Sequence, residues 1–247
     1  MKRLRARDWA FISLILIVAV VCIRLAFWQI SRLNERRSQN AYILSQLEHP
    51  ALDLPSPGLT PEEIAFRHVT VRGTFDAQHE IMLKNRSHNG QSGYHLVTPL
   101  RIEGSEESVL VDRGWISIEA AGDDQRQRFI LHGIQDLTGI ARLSQPEPGS
   151  FLADPIPAPN EPPLKAWRVL NIEGIQNQIP YPLLSIYIEQ TEPPMVTATM
   201  PIPDSEIDLS EGPHLAYTIQ WFSFAAIAIL GGVYWFTRTL KPTLTDV

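Results

Sequence analysis

The chain of 247 residues has one cysteine, Cys22, and it lies inside an apolar run. A single thiol cannot build a disulfide framework, and a cysteine-based zinc site is excluded with it. Positive charge is also in short supply. Lys and Arg number 21 against 27 Asp and Glu, for a formal net charge of -6, with an isoelectric point near 5.6. That balance does not suggest nucleic acid as a partner. Catalytic signatures are missing too: there is no Gly-x-Ser-x-Gly elbow, no Walker loop, no His-Glu-x-x-His and no dinucleotide fingerprint. Ser92, in Gln91-Ser92-Gly93, lacks the flanking glycine spacing and reads as a turn residue. No nucleophile and base stand at usable spacing, which leaves little support for an extracytoplasmic hydrolase.

Against these absences stand two long apolar stretches at opposite ends of the chain. From Leu215 to Phe236 no residue is charged, about the 20 residues a helix needs to cross the hydrocarbon core of a bilayer. Gly212-Pro213 marks its start, because proline is tolerated in the first helical turn. The second stretch follows the basic end Lys2, Arg3, Arg5 and Arg7. After Trp9 it is apolar to Ile23 apart from Ser13, then interrupted by Arg24 before Leu25-Ala26-Phe27-Trp28. It reads as a membrane span with Arg24 near the outer end, where a long side chain can snorkel to headgroups. The competing reading, a cleaved signal peptide, lacks a convincing small-x-small cleavage site.

The domain limits expected are a basic cytoplasmic end at 1–8, a transmembrane helix at 9–30 and an extracytoplasmic β-rich domain at 31–211. A second transmembrane helix follows at 212–237, with a cytoplasmic tail at 238–247. The basic amino end, with Arg238 and Lys241 beyond the second span, places both termini in the cytoplasm by the positive-inside rule, as a two-span protein of the cell membrane. Arg32, Arg36 and Arg37 cut against that orientation, and Asp204, Glu206, Asp208 and Glu211 weigh little either way. Proline is absent before Pro50 and glycine before Gly58, so nothing local stops the first helix at the membrane surface. It should continue to about Leu47, for a length of about 58 Å.

The middle changes period. Short alternating runs at 66–75, 80–84, 94–101, 109–115, 137–143, 167–170 and 183–189 are strand signals, and turns such as Ser87-His88-Asn89-Gly90 favour antiparallel hairpins. Pro146, Pro148, Pro155, Pro157, Pro159, Pro162 and Pro163 crowd one connection that can be neither helix nor central strand. Residues 171–179 suggest one short helix capped by Asn171. The fold class expected is therefore membrane-anchored α+β, two transmembrane helices flanking a mainly antiparallel β domain.

Candidate site residues gather at the mouth of the second span. An advance of about 100° per residue puts His214, Tyr217, Thr218, Trp221 and Ala225 on one face. An imidazole with an aromatic ring one turn away, at the edge of a bilayer, suits a flat hydrophobic cofactor; the plainer reading is a capping histidine in an aromatic interface belt. Ala228 and Gly232 form a small-xxx-small pair that admits a second helix, for which the first span is the nearest candidate. Arg24, Trp28, Gln29 and Arg32 would then face the region around His214. Together they offer a haem site, with an axial imidazole, aromatic walls and guanidinium groups for propionates. Two weaker signals lie elsewhere. His88 and His95 flank one turn without a third ligand, and Arg113 in Asp112-Arg113-Gly114-Trp115 reads either as a carboxylate binder or as part of a strand end with a packed tryptophan.

Several segments, in order and between the two spans, resemble the Surfeit locus protein one family. They are Trp28-Gln29 followed by basic residues, Phe66-Arg67-His68-Val69-Thr70-Val71-Arg72-Gly73-Thr74-Phe75, Gly93-Tyr94-His95-Leu96-Val97-Thr98-Pro99-Leu100, Val109-Leu110-Val111-Asp112-Arg113-Gly114-Trp115, and His214-Leu215-x-Tyr217-x-x-x-Trp221-Phe222. Ala26, His68 and Asp112 depart from the family's usual residues. The resemblance implies an assembly factor for cytochrome c oxidase that handles haem a during its insertion into subunit one, and no enzymatic turnover. The partners implied are subunit one, the haem a synthesis enzymes and membrane lipid. By motif position His214 is the residue that binds the haem iron, and Trp221 matches the aromatic residue further along the same helix; Tyr217 on the His214 face, and Trp28, Arg24 and Arg32 by their expected place near the outer leaflet, complete the cofactor-binding residues. The alternative is a membrane scaffold for oxidase assembly intermediates that never touches haem.

Overall fold

A computed structural model describes residues 5–146, 149, 154–155, 161–191, 201–203 and 207–240. Outside them lie Lys2, Arg3 and Lys241, used above for orientation, the acidic Asp204 and Glu206, and Pro148, Pro157 and Pro159 of the proline-rich connection. The chain forms two compact units, one of Met1–Tyr42 with Asp208–Val247 and one of Ile43–Ile207.

The first unit is made by α1 (Ala6–Leu47) as far as Tyr42 and by the last described helix (His214–Leu240). Both are long and apolar enough to cross a membrane. At its start α1 is held by the Asp8 carboxylate, which accepts from the Arg5 backbone N–H at 2.9 Å. It ends shortly before Pro50, where the chain can no longer supply backbone donors. Ala19, Cys22, Ala26, Gln29, Leu33 and Asn40 are buried on α1, a stripe at three- and four-residue spacing. Thr218 and Ala225 are buried on the second helix. Phe11 meets Trp235 at 4.7 Å between ring centroids and Phe27 meets Phe222 at 5.7 Å, so the two helices run antiparallel. Between those contacts a Cβ added at Gly232 would lie 3.1 Å from Ile15, so the small residue admits the first helix of the same chain. Past the apolar stretch, Arg37 donates both to Glu211 Oε1 at 2.7 Å and to Glu211 Oε2 at 2.9 Å. Arg36 lies 3.7 Å from Asp208, and Arg32 is paired with Glu35 at 2.8 Å. The three arginines that opposed the expected orientation are thus each beside a carboxylate.

The second unit contains β1 (Leu52–Asp53), α2 (Pro61–Ile64), β2 (His68–Phe75), β3 (Ile81–His88), β4 (Gln91–Ile102) and β5 (Ser108–Ser117). They are followed by α3 (Asp123–Arg126), β6 (Ile134–Leu143), β7 (Ala166–Trp167), α4 (Ile172–Gln176) and β8 (Leu183–Gln190), so that the helix from His214 is α5. The sheet runs β1-β2-β6-β8-β5-β4-β3-β7 and closes through a further β2–β4 pairing. The result is a barrel of β2, β6, β8, β5 and β4. Closure depends on Gly73, where a Cβ would sit 2.2 Å from the Arg101 carbonyl oxygen of the facing strand. The twelve-residue β4 serves two neighbours on one edge, β3 over its first half and β2 at Leu100–Ile102. Most pairings are antiparallel, as the alternating runs suggest, but β5 and β8 pair in parallel within the barrel.

Val69, Val71, Phe75, Leu100, Val109, Val111 and Ile188 belong to one apolar core. A second core forms around Ile81, Leu83, Val97 and Leu110 with Trp167 and Ile175, from β7 and α4. Asn171 caps α4, its side-chain oxygen accepting from Gly174 N–H at 2.6 Å. Pro146, Pro155, Pro162 and Pro163 lie outside any helix or strand.

The weaker sequence signals resolve in this unit. Arg113 is buried, donates to the Phe129 carbonyl at 2.6 Å and lies 3.6 Å from Glu80, so it serves packing. Burial pushes the Glu80 carboxyl above its usual range, against the opposing pull of Thr98, Arg113 and Arg126. His95 Nδ1 contacts Asp112 Oδ2 at 2.9 Å, while the His88 ring packs on Trp115 at 5.5 Å. Among the described residues no three His, Cys, Asp or Glu side chains group as metal ligands.

Asp76 fastens this unit near the end of α4. It accepts from Tyr181 Oη at 2.7 Å and from Gln78 N–H at 3.0 Å, and faces His79 Nδ1 at 2.7 Å. Burial alone would raise its pKa, but these partners outweigh burial and hold it below the ordinary value of 3.8. A depressed carboxylate contributes stability that is complete above the unfolded-state pKa and is lost as pH falls through the folded-state value. Tyr181→Phe should therefore cost about 1.5–3 kcal/mol at neutral pH, the range for a hydrogen bond to a charged group. Chemical denaturation of wild type and variant should show that difference shrinking below about pH 4; a difference that stays constant to lower pH would remove Asp76 as its source.

Candidate functional site

The site is built where α1 and α5 meet beyond Phe27 and Phe222. His214 is the first residue of α5, after Gly212 at φ +67 and Pro213. The Pro213 carbonyl accepts the Tyr217 N–H at 3.1 Å, and the His214 carbonyl accepts Thr218 Oγ1 at 2.9 Å, so the first turn is held by local bonds. His214 is half-buried. Its Nδ1 lies 2.7 Å from Oε1 of Gln29, which is only 8% exposed on the otherwise largely apolar α1 stripe.

An amide oxygen accepts, so with a neutral ring His214 Nδ1 is the donor in this pairing and the lone pair lies on Nε2. Among the described residues no hydrogen bond is made to Nε2. The position beside that nitrogen is held by a residue without a side chain. A Cβ at Gly212 would lie 3.6 Å from His214 Cδ2 and 3.7 Å from Nε2. A neutral imidazole with Nδ1 anchored and Nε2 without a hydrogen bond among the described residues fits an iron ligand.

The other residues singled out in sequence are placed unequally. Tyr217 is exposed, and Trp221 is half-buried with its ring 5.9 Å from Phe224. Both follow His214 on α5, one and two turns along. Trp28 is exposed, with the Arg32 guanidinium 5.8 Å from its ring centroid, and Arg32 is engaged with Glu35. Arg24 is exposed. Five residues before Gln29, Arg24 projects about 140° away round the helix, on the side turned from α5. Of Arg24, Trp28, Gln29 and Arg32, the residue whose side chain reaches His214 is Gln29. Helical phase separates the four, since Arg24, Trp28 and Arg32 follow one ridge at four-residue spacing and the buried stripe that carries Gln29 follows another. The signal that could have separated them is the run Ala19, Cys22, Ala26, Gln29 and Leu33, small or apolar residues with one amide among them.

Comparison with known proteins bears on this arrangement. The SURF1 family model matches residues 16–226, from within α1 through the barrel and into α5. The chain is 23% identical to Surfeit locus protein 1 of Homo sapiens over 97% of this chain and 81% of that protein. It is 27% identical to the SURF1-like protein of Rickettsia felis over 87% of this chain and 92% of that one. A shorter match, 31% identical over 47% of this chain and 30% of the relative, is to the cytochrome oxidase assembly protein SHY1 of Saccharomyces cerevisiae. With a single family model running from within α1 through the whole barrel and into α5, the chain belongs to the SURF1 family.

Proposed function

We propose that this protein is an assembly factor for cytochrome oxidase which receives haem a as cargo and holds it for insertion into subunit one of the oxidase. The observation that carries the reading is the anchored imidazole of His214, with Nε2 bare, at the end of two helices suited to hydrocarbon. Family membership and the likeness to a cytochrome oxidase assembly protein support the oxidase as the partner. Haem a synthesis enzymes are the donors this reading requires. The role is that of a holder and not of an enzyme.

On this reading His214 supplies the axial ligand through Nε2, and Tyr217 and Trp221 flank the macrocycle along α5. Trp28 and Arg32 offer a stacking surface and a cation for a propionate, since the Arg32–Glu35 pair is exposed and exchanges at little cost. Arg24, on the far side of α1, is assigned to headgroup contact instead. Haem a brings the iron and the flat apolar ring; the chain contributes orientation, one lone pair and exclusion of water.

The membrane part of the proposal rests on the exposed side chains. Leu14, Ile17, Ile227 and Leu230 are each more than half exposed, a surface that in water would be an aggregation liability. Tryptophans mark both ends. Trp9 and Trp28 on α1 are separated by about 28 Å at 1.5 Å per residue, close to the hydrocarbon thickness of about 30 Å. With the amino and carboxyl ends cytoplasmic in the cell membrane, the β unit is extracytoplasmic. A reporter active only outside the cytoplasm should work when fused near Pro157 and fail after Val247; activity at the carboxyl end would reverse the proposed topology.

The haem reading is tested by co-expression with haem a synthesis enzymes, purification and an optical spectrum. Wild type should carry haem a. His214→Ala should lose occupancy and shift the Soret band while still inserting in the membrane, and His88→Ala and His95→Ala should do neither. Wild-type protein that purifies without haem, yet still associates with oxidase intermediates, would favour a scaffold that never touches the cofactor.

A further inference from the structure

We infer that Gln29 is the positioning residue of this site: its side-chain oxygen fixes His214 as the Nδ1–H tautomer and thereby makes Nε2 the ligand atom. The inference rests on the haem reading above and specifies how the chain prepares the imidazole before haem arrives. A polar side chain buried on an apolar helix face carries a desolvation cost unless it is hydrogen-bonded. Gln29 is 8% exposed between Ala26 and Leu33, and its bond to His214 Nδ1 at 2.7 Å crosses from one helix to the other.

The chemistry makes the direction of that bond decisive. A neutral imidazole has one N–H and one lone pair, and free histidine favours the proton on Nε2. In that tautomer Nε2 cannot bind iron until its proton moves. An acceptor at Nδ1 reverses the preference and leaves the outward nitrogen bare. It also fixes the ring plane, because the acceptor is on α1 while the imidazole is on α5. The opposite amide orientation, with the Gln29 nitrogen donating to Nδ1, would force the proton onto Nε2 and block the site. A glutamate in the same place is an acceptor from either oxygen, so it satisfies the requirement, but it brings a charge onto an otherwise apolar face. A methionine has nearly the same length and no comparable acceptor.

The test uses the full-length protein, haem-free in detergent, with histidine labelled by nitrogen-15, followed by titration with haem a. In wild type and Gln29→Glu the His214 resonances should show a protonated Nδ1 and a bare Nε2. Gln29→Met should move the proton to Nε2 and weaken haem a binding by about 10–100-fold, the usual effect of losing a ligand's hydrogen-bond partner. Circular dichroism should show unchanged helix content. Gln29→Met with wild-type tautomer and affinity would overturn the inference, as would a wild-type His214 protonated on Nε2. His214→Ala, titrated alongside, separates the two levels. Loss of haem there with no effect of Gln29→Met rejects the role of Gln29 alone, whereas retention of haem rejects the site itself.

Discussion

One hydrogen bond, from His214 on α5 to Gln29 on α1, sets the terms for the helix pair. The faces that meet are built from Ala19, Cys22, Ala26, Leu33 and Ala225, side chains that would pack in more than one register. If the surroundings are hydrocarbon, burying such faces against each other gains little over burying them in lipid, so association depends on close packing and polar bonds between helices. Gly232 against Ile15 supplies the close approach at one end, and the amide–imidazole pair supplies the polar bond at the other. A slip of one residue along either helix would leave the buried Gln29 amide unsatisfied, at about 1–3 kcal/mol. Arg37 with Glu211 and Arg36 with Asp208 continue the same register beyond the apolar stretch, though exposed pairs of this kind contribute less.

The β unit is organised by a different constraint, the closure of five strands into a barrel. Three residue pairs between β2 and β4 make the seam, and Gly73 permits it. Closure removes two long edges that would otherwise offer unpaired backbone groups. The strands left at the margins of the sheet, β1 and β7, are two residues each. The buried polar contacts Arg113 with Glu80 and His95 with Asp112 join neighbouring elements and belong to the framework of this unit.

What could be read from the sequence followed local physics. The absence of proline before Pro50 and glycine before Gly58 announces a helix much longer than a membrane is thick, and α1 runs to Leu47. Alternation marks the strands, and Asn171 marks the start of α4. Partner choice was not legible. The parallel β5–β8 pairing joins segments separated by more than 60 residues, and the three-pair β2–β4 seam has no signature of its own beyond an ordinary strand glycine. At the site, Gly212-Pro213 and the apolar run after it pointed to His214. The rotation of α1 decided the rest. Arg24, Trp28 and Arg32 are the conspicuous residues by chemistry, but they share a ridge outside the buried stripe, while the inconspicuous Gln29 lies on the stripe and bonds His214.

The proposed point of attachment for haem a is a single nitrogen, Nε2 of His214. Chemical rescue tests that claim most directly. His214→Gly removes the imidazole and leaves a space that added imidazole can enter, and the optical spectrum of the haem a complex can be followed as imidazole is titrated in. The account predicts that His214→Gly binds haem a poorly and that imidazole restores the wild-type Soret position. A wild-type spectrum from His214→Gly without any imidazole would contradict it.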